Sequence, residues 1–128
     1  MKLLWNSAAP AATLVLVKDG VRSEYTWQAD RQLAKDMLGY LRDRLAEHDC
    51  TFSDIEGIGV FRGPGSFTGL RIGLTVLNTL ATSRNIQIVG VSGQEWQQEA
   101  MRRLEAHEND QIVLPEYGSS AHTTQPRK

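Results

Sequence analysis

The residue types best suited to chemistry stand together in Gly63-Pro64-Gly65-Ser66-Phe67-Thr68-Gly69-Leu70-Arg71-Ile72-Gly73. Glycine lets a backbone turn sharply, hydroxyls and the unpaired amides of a first helical turn donate hydrogen bonds, and a guanidinium supplies positive charge. Gly63, Gly65, Ser66, Thr68 and Arg71 are therefore a candidate anion- or nucleotide-binding loop for a phosphate or carboxylate. The familiar motifs do not fit. A P-loop needs G-x-x-x-x-G-K-[ST], and here the glycines fall out of register with no lysine following. A dinucleotide fingerprint needs glycine at Thr68, and a hydrolase elbow needs glycines where Pro64 and Thr68 stand. The alternative reading is that Gly65 permits a turn, Ser66 or Thr68 caps a helix and Arg71 is solvated.

Elsewhere the signals for catalysis and metal binding are weak. His48, His107 and His122 are far apart and read as surface residues, without the i, i+4 pairing of a helical metal site. No paired carboxylates stand out: Asp19 belongs to a turn, Asp30 to a helix cap, and Asp36, Asp43 and Glu47 to a solvated helix face. Cys50 is the only cysteine, which excludes an intramolecular disulfide and a multi-thiolate site. No catalytic residue and no metal ligand is assigned. Trp5, Trp27 and Trp96 read as core or rim aromatics.

The elements that must position the glycine-rich stretch follow from periodicity. Ile55 to Phe61 before it has strand character, and Thr68 to about Arg84 after it repeats apolar residues at helical spacing. Upstream, Lys2 to Trp5 and Ala12 to Val17 read as strands. Lys18-Asp19-Gly20 is a hairpin turn returning through Val21 to Trp27, with Val21, Ser23, Tyr25 and Trp27 on one face. Asp30 caps a helix to about Glu47, with Leu33, Met37, Leu41 and Leu45 four apart. Downstream, Asn85 to Val91 is a strand, and a third helix begins at Ser92 or Gly93 and passes through Trp96, Ala100 and Leu104. The order βββαβαβα implies an α/β fold with a hairpin-fed mixed sheet over residues 1–110. Residues 111–128 read as a short strand at Ile112-Val113-Leu114 followed by a mobile tail, in which Tyr117 packs somewhere.

Placed 100° apart, Ile72, Val76, Leu80, Leu77, Leu70, Ala81 and Leu74 fill an apolar arc of roughly 200°, with Gly69 and Gly73 near its middle. So broad an arc packs on the sheet and on a second surface, and glycine there invites close approach of another backbone. That surface is the first helix, another copy or another protein. The opposite arc, Arg71, Thr75, Asn78, Thr79 and Thr82, carries a single charge.

Composition sets the outer limits. With 128 residues, 41% hydrophobic and 23% charged, the chain suits one folded domain. Fourteen basic against fifteen acidic residues give a net charge of −1, no basic sheath for nucleic acid. No apolar run reaches the ~18 residues of a membrane span, so a cytoplasmic location without membrane contact is expected.

With its strand-to-helix setting, the stretch Gly63 to Gly73 strongly resembles the TsaB family, required for threonylcarbamoyladenosine synthesis on transfer RNA. The likeness extends through the hairpin, the first helix, Ile86 to Val91, Val91-Ser92-Gly93 and Leu114-Pro115-Glu116-Tyr117. The resemblance implies an actin-like, ribonuclease-H-like fold and a non-catalytic scaffold subunit. It would dimerise with a catalytic TsaD-like subunit through its first two helices, a TsaE-like ATPase docking on the pair. ATP and metal would belong to those partners, with no cofactor bound here and tRNA contacted only indirectly. Gly69, Gly73, Val76, Leu80, Met37 and Leu41 become the candidate partner interface.

Two departures bear on this. The first strand ends Trp5-Asn6-Ser7-Ala8 where the family commonly has Asp-Thr-Ser, which disfavours a magnesium-binding role at Asn6. Only one helix follows Val91, so the resemblance implies a compact form lacking most of the second domain. The alternatives are an ATP-binding phosphotransferase or peptidase-like enzyme of the same superfamily, and a homodimer through the same helices.

Overall fold

The computed structural model describes residues 1–65 and 67–116. β1 (Lys2–Asn6), β2 (Ala11–Lys18) and β3 (Val21–Gln28) form an antiparallel meander. α1 (Leu33–Ala46), β4 (Gly57–Phe61), α2 (Phe67–Arg84), β5 (Gln87–Val91) and α3 (Trp96–Glu105) follow. The five strands make one mixed sheet, ordered β3-β2-β1-β4-β5, with β4 parallel to β1 and β5 parallel to β4. The order βββαβαβα and the mixed sheet are those expected.

Alternation along the strands sorts the core into two layers. Leu3, Trp5, Leu14, Leu16, Ile58 and Val60 join Met37, Leu41, Leu74 and Leu77 of α1 and α2. Leu4, Val15 and Val89 point the other way, onto Trp96, Ala100 and Leu104 of α3. Gly59 lets α3 come close: a Cβ there would lie 2.7 Å from that of Ala100 and 2.8 Å from Leu4 Cδ2. On the α1 side, Trp27 stacks on Tyr40 at 4.3 Å, and Tyr25 donates to Glu47 at 3.0 Å and lies 2.8 Å from His48 Nε2. These contacts leave His48 half-buried rather than on the surface.

Three expectations need correction. Asp30 does not cap α1: its side chain accepts from Gln28 Nε2, its φ is +50°, and a 3-10 turn over Asp30–Gln32 precedes the helix. α3 starts at Trp96, because Gly93 (φ +89°) is spent on a turn. Ile112-Val113-Leu114 forms no strand, since the backbone of Val113 bonds to the Asn78 side chain instead of a ladder. Ser66, Tyr117, His122 and the rest of the tail lie outside the described residues.

Candidate functional site

The glycine-rich turn runs from the end of β4 to the start of α2 and is enclosed on two sides by the chain itself. Gly63 has φ +123°, and a Cβ there would sit 2.1 Å from the carbonyl oxygen of Glu116. Gly65 lies against the β1–β2 turn, where a Cβ would meet that of Ala8 at 2.3 Å. That turn is shaped by Asn6, whose Oδ1 accepts from the Ala8 amide at 2.9 Å. The Asn6 carboxamide therefore has a structural use in this turn.

Ser7 ties the turn to α2. Trp5 Nε1 donates to Ser7 Oγ at 2.8 Å, and the Ser7 hydroxyl donates to the Gly69 carbonyl at 2.8 Å. Both Trp5 and Ser7 are buried. Gly73 faces the same pair: a Cβ would fall 2.4 Å from Ser7 Oγ and 2.5 Å from Trp5 Nε1. The close approach at Gly73 is thus made inside the chain, by two side chains rather than by the second backbone expected.

A cleft of ≈ 720 Å³ opens beside these residues, lined by Ser7, Pro10, Gln28, Asp30, Thr68 and Ile72 among others. It lies at the carboxyl ends of β1 and β3, and it adjoins the first turn of α2. Along the seam between α1 and α2 it continues into a shallower groove bordered by Ala34, Arg71, Ile72, Thr75 and Val76. Thr68 and Arg71 are exposed there, while Gly63 is buried and Gly65 exposed. The expected loop residues therefore divide: Thr68 and Arg71 border open space, and Gly63 is sealed by the C-terminal segment. Among the described residues no group of three or more His, Cys, Asp or Glu could hold a metal ion. No helix among them is long and apolar enough to cross a membrane.

The proposed interface residues divide too. Met37 and Leu41 are fully buried against the sheet, because the apolar face of α1 is its core face. They cannot touch a partner, and neither can buried Gly73. Val76 and Leu80 are half-buried and Gly69 lines the cleft. Leu38, 53% exposed on α1, is accessible as well. Ser7, Arg62, Asn78 and Glu116 also carry contacts that no motif in the sequence marks. For Ser7 the available signal was the Asn6-Ser7 turn.

The sequence model of the family described as TsaD, tRNA N6-adenosine threonylcarbamoyltransferase, matches residues 17–122. The tRNA threonylcarbamoyladenosine biosynthesis protein TsaB of Escherichia coli (strain K12) is 31% identical over 87 residues, 68% of this chain and 38% of that protein. TsaB of Bacillus subtilis (strain 168) is 36% identical over 81 residues, 63% of this chain and 35% of that protein. Among solved structures, YeaZ from Pseudomonas aeruginosa superposes with a TM-score of 0.68 at 28% identity, covering 81% of this chain and 49% of that one. The chain thus spans about half of that structure and less than half of these curated relatives, and its fold is the actin-like, ribonuclease-H-like one.

Proposed function

The chain belongs to the family of TsaD, as a member of its TsaB branch, and from that membership we propose that it serves tRNA threonylcarbamoyladenosine synthesis as a non-catalytic scaffold. In this reading it pairs with a TsaD-like subunit through the accessible seam of α1 and α2. The observation that carries it is the row Ile72, Val76 and Leu80 along α2, left half-buried, together with Leu38 exposed on α1. A helix pair laid along that row would bury it, whereas charged residues cover most of the remaining surface of α1. ATP and metal stay with the partners, a TsaE-like ATPase joins the pair, and the work is done where the cell keeps its tRNA, in the cytoplasm.

The use of Asn6 and Ser7 in holding the β1–β2 turn supports scaffold over enzyme, because both side chains already have partners within the chain. Mixing the purified chain with its cognate TsaD-like subunit and measuring mass in solution tests the reading. A heterodimer is expected at micromolar protein, lost in Val76→Arg and Leu80→Arg. No heteromer, or one indifferent to both changes, sinks it; a homodimer abolished by the same changes would favour self-association instead.

A further inference from the structure

At the far side of the glycine-rich turn, residues 112–116 lie in a groove formed by α2, the end of β4 and the edge of β5. Their backbone is recognised group by group. Asn78 Nδ2 donates to the Val113 carbonyl at 2.9 Å, and the Val113 amide donates to Asn78 Oδ1 at 2.8 Å. Arg62 Nε donates to the Leu114 carbonyl at 3.0 Å, and the Glu116 amide donates to the Arg62 carbonyl at 2.6 Å. Pro115 has no N–H to satisfy.

Val113 alone of residues 112–114 points inward, and Glu116 is anchored at its carboxylate. Val113, 3% exposed, fills the space above Gly90, where a Cβ would lie 2.5 Å from it. Ile112 and Leu114 point away and are 54% and 66% exposed. The Glu116 carboxylate accepts from Arg62 Nη1 and Ser92 Oγ, each at 3.2 Å. Backbone pairing for affinity and alternate side-chain sockets for selectivity are the means by which extended peptides are bound.

We propose that this groove is a peptide-recognition site occupied by the chain's own residues 112–116. The ligand it fits is an extended segment with a small β-branched residue and, three positions later, a carboxylate. Asn78 reads the backbone, Gly90 provides the socket, and Arg62 with Ser92 holds the acid. This goes beyond the scaffold reading and does not depend on it.

The test uses the full chain carrying Val113→Asp and Glu116→Arg, which empties the socket and repels Arg62. Its probe is the free blocked peptide Ac-Gln-Ile-Val-Leu-Pro-Glu-NH2, titrated calorimetrically. The variant is expected to bind the peptide at least about tenfold more tightly than the wild type, whose tethered segment competes at millimolar effective concentration. Adding Asn78→Ala should remove that binding. A folded variant that binds no better than the wild type, or binds equally after Asn78→Ala, overturns the proposal. Should the variant not fold, hydrogen exchange on the wild type decides. The Val113 and Glu116 amides should be protected alone and lose protection in excess peptide; exchange at free-peptide rates without it, or protection unmoved by it, overturns the proposal.

Discussion

Asn78 presents both edges of its carboxamide to Val113, thirty-five positions away, and so replaces a strand partner with one side chain. The exchange explains why an apolar tripeptide of strand composition stays irregular: its central residue has both backbone groups satisfied without a ladder. Asn78→Asp should lose the bond to the Val113 carbonyl and set a carboxylate near that oxygen. Asn78→Ala should lose both. Each is expected to cost about 1–3 kcal/mol, the range for stranding part-buried polar groups, read as a lower urea midpoint with little change of slope.

Two helix glycines should respond oppositely to alanine. Gly39, in the middle of α1, would place a Cβ 3.6 Å from the Arg42 side chain, an ordinary contact. Gly39→Ala should therefore stabilise the chain by about 0.5–1 kcal/mol, the helix-propensity gain. Gly73→Ala offers the same gain but drives a methyl into Ser7 Oγ and Trp5 Nε1, both held by a hydrogen bond in the core. Overpacking costs typically ~1–3 kcal/mol, so the net change at Gly73 should be destabilising. Thermal midpoints of the two variants, measured side by side, check the difference in sign.

This contrast also shows what the sequence could reveal. The apolar arc of α2 was legible from spacing, and so were the five strands of the sheet, the Asp19-Gly20 hairpin turn and the order of elements. A helical wheel does not say which half of a broad arc meets the sheet, however. The interface that the family resemblance implies therefore includes Gly73 of α2 and Met37 of α1, although both face inward. Asn78 looked like one more polar residue on an exposed arc, because its partner is distant in sequence and makes contact only through its backbone. The same holds for Gly63, whose positive φ was foreseeable but whose neighbour, the Glu116 carbonyl, was not. Periodicity reports local structure; the site is built from nonlocal contacts.

The chain of bonds from Trp5 through Ser7 to Gly69 gives a second stability test. Ser7→Ala leaves the indole N–H of a fully buried tryptophan without its acceptor, at an expected cost of about 1–3 kcal/mol. Trp5→Phe removes the donor and creates space as well. If the bond is what couples the two sites, the double variant should be less destabilised than the sum of the singles by at least about 0.5 kcal/mol, measured by denaturant unfolding. Strict additivity would show that Ser7 acts through the Gly69 carbonyl alone.

Acid should act through Asp110. Its carboxylate accepts from Arg103 Nη2 at 2.6 Å and from the Gly90 amide at 2.8 Å, joining the end of α3 to the edge of β5. Burial alone would raise its pKa, but the bonds from Arg103 and Gly90 outweigh that, and the net shift is below the ordinary 3.8. The folded chain therefore holds this proton less readily than the unfolded one. Stability from the cluster is complete above about pH 4 and is lost as pH falls through and below 3.8. Asp110→Asn should lower the urea midpoint at pH 7, and the gap from wild type should narrow as pH falls from 4 to 2. A gap constant over that interval would mean that the carboxylate charge contributes nothing and that Asp110 serves only as a hydrogen-bond acceptor.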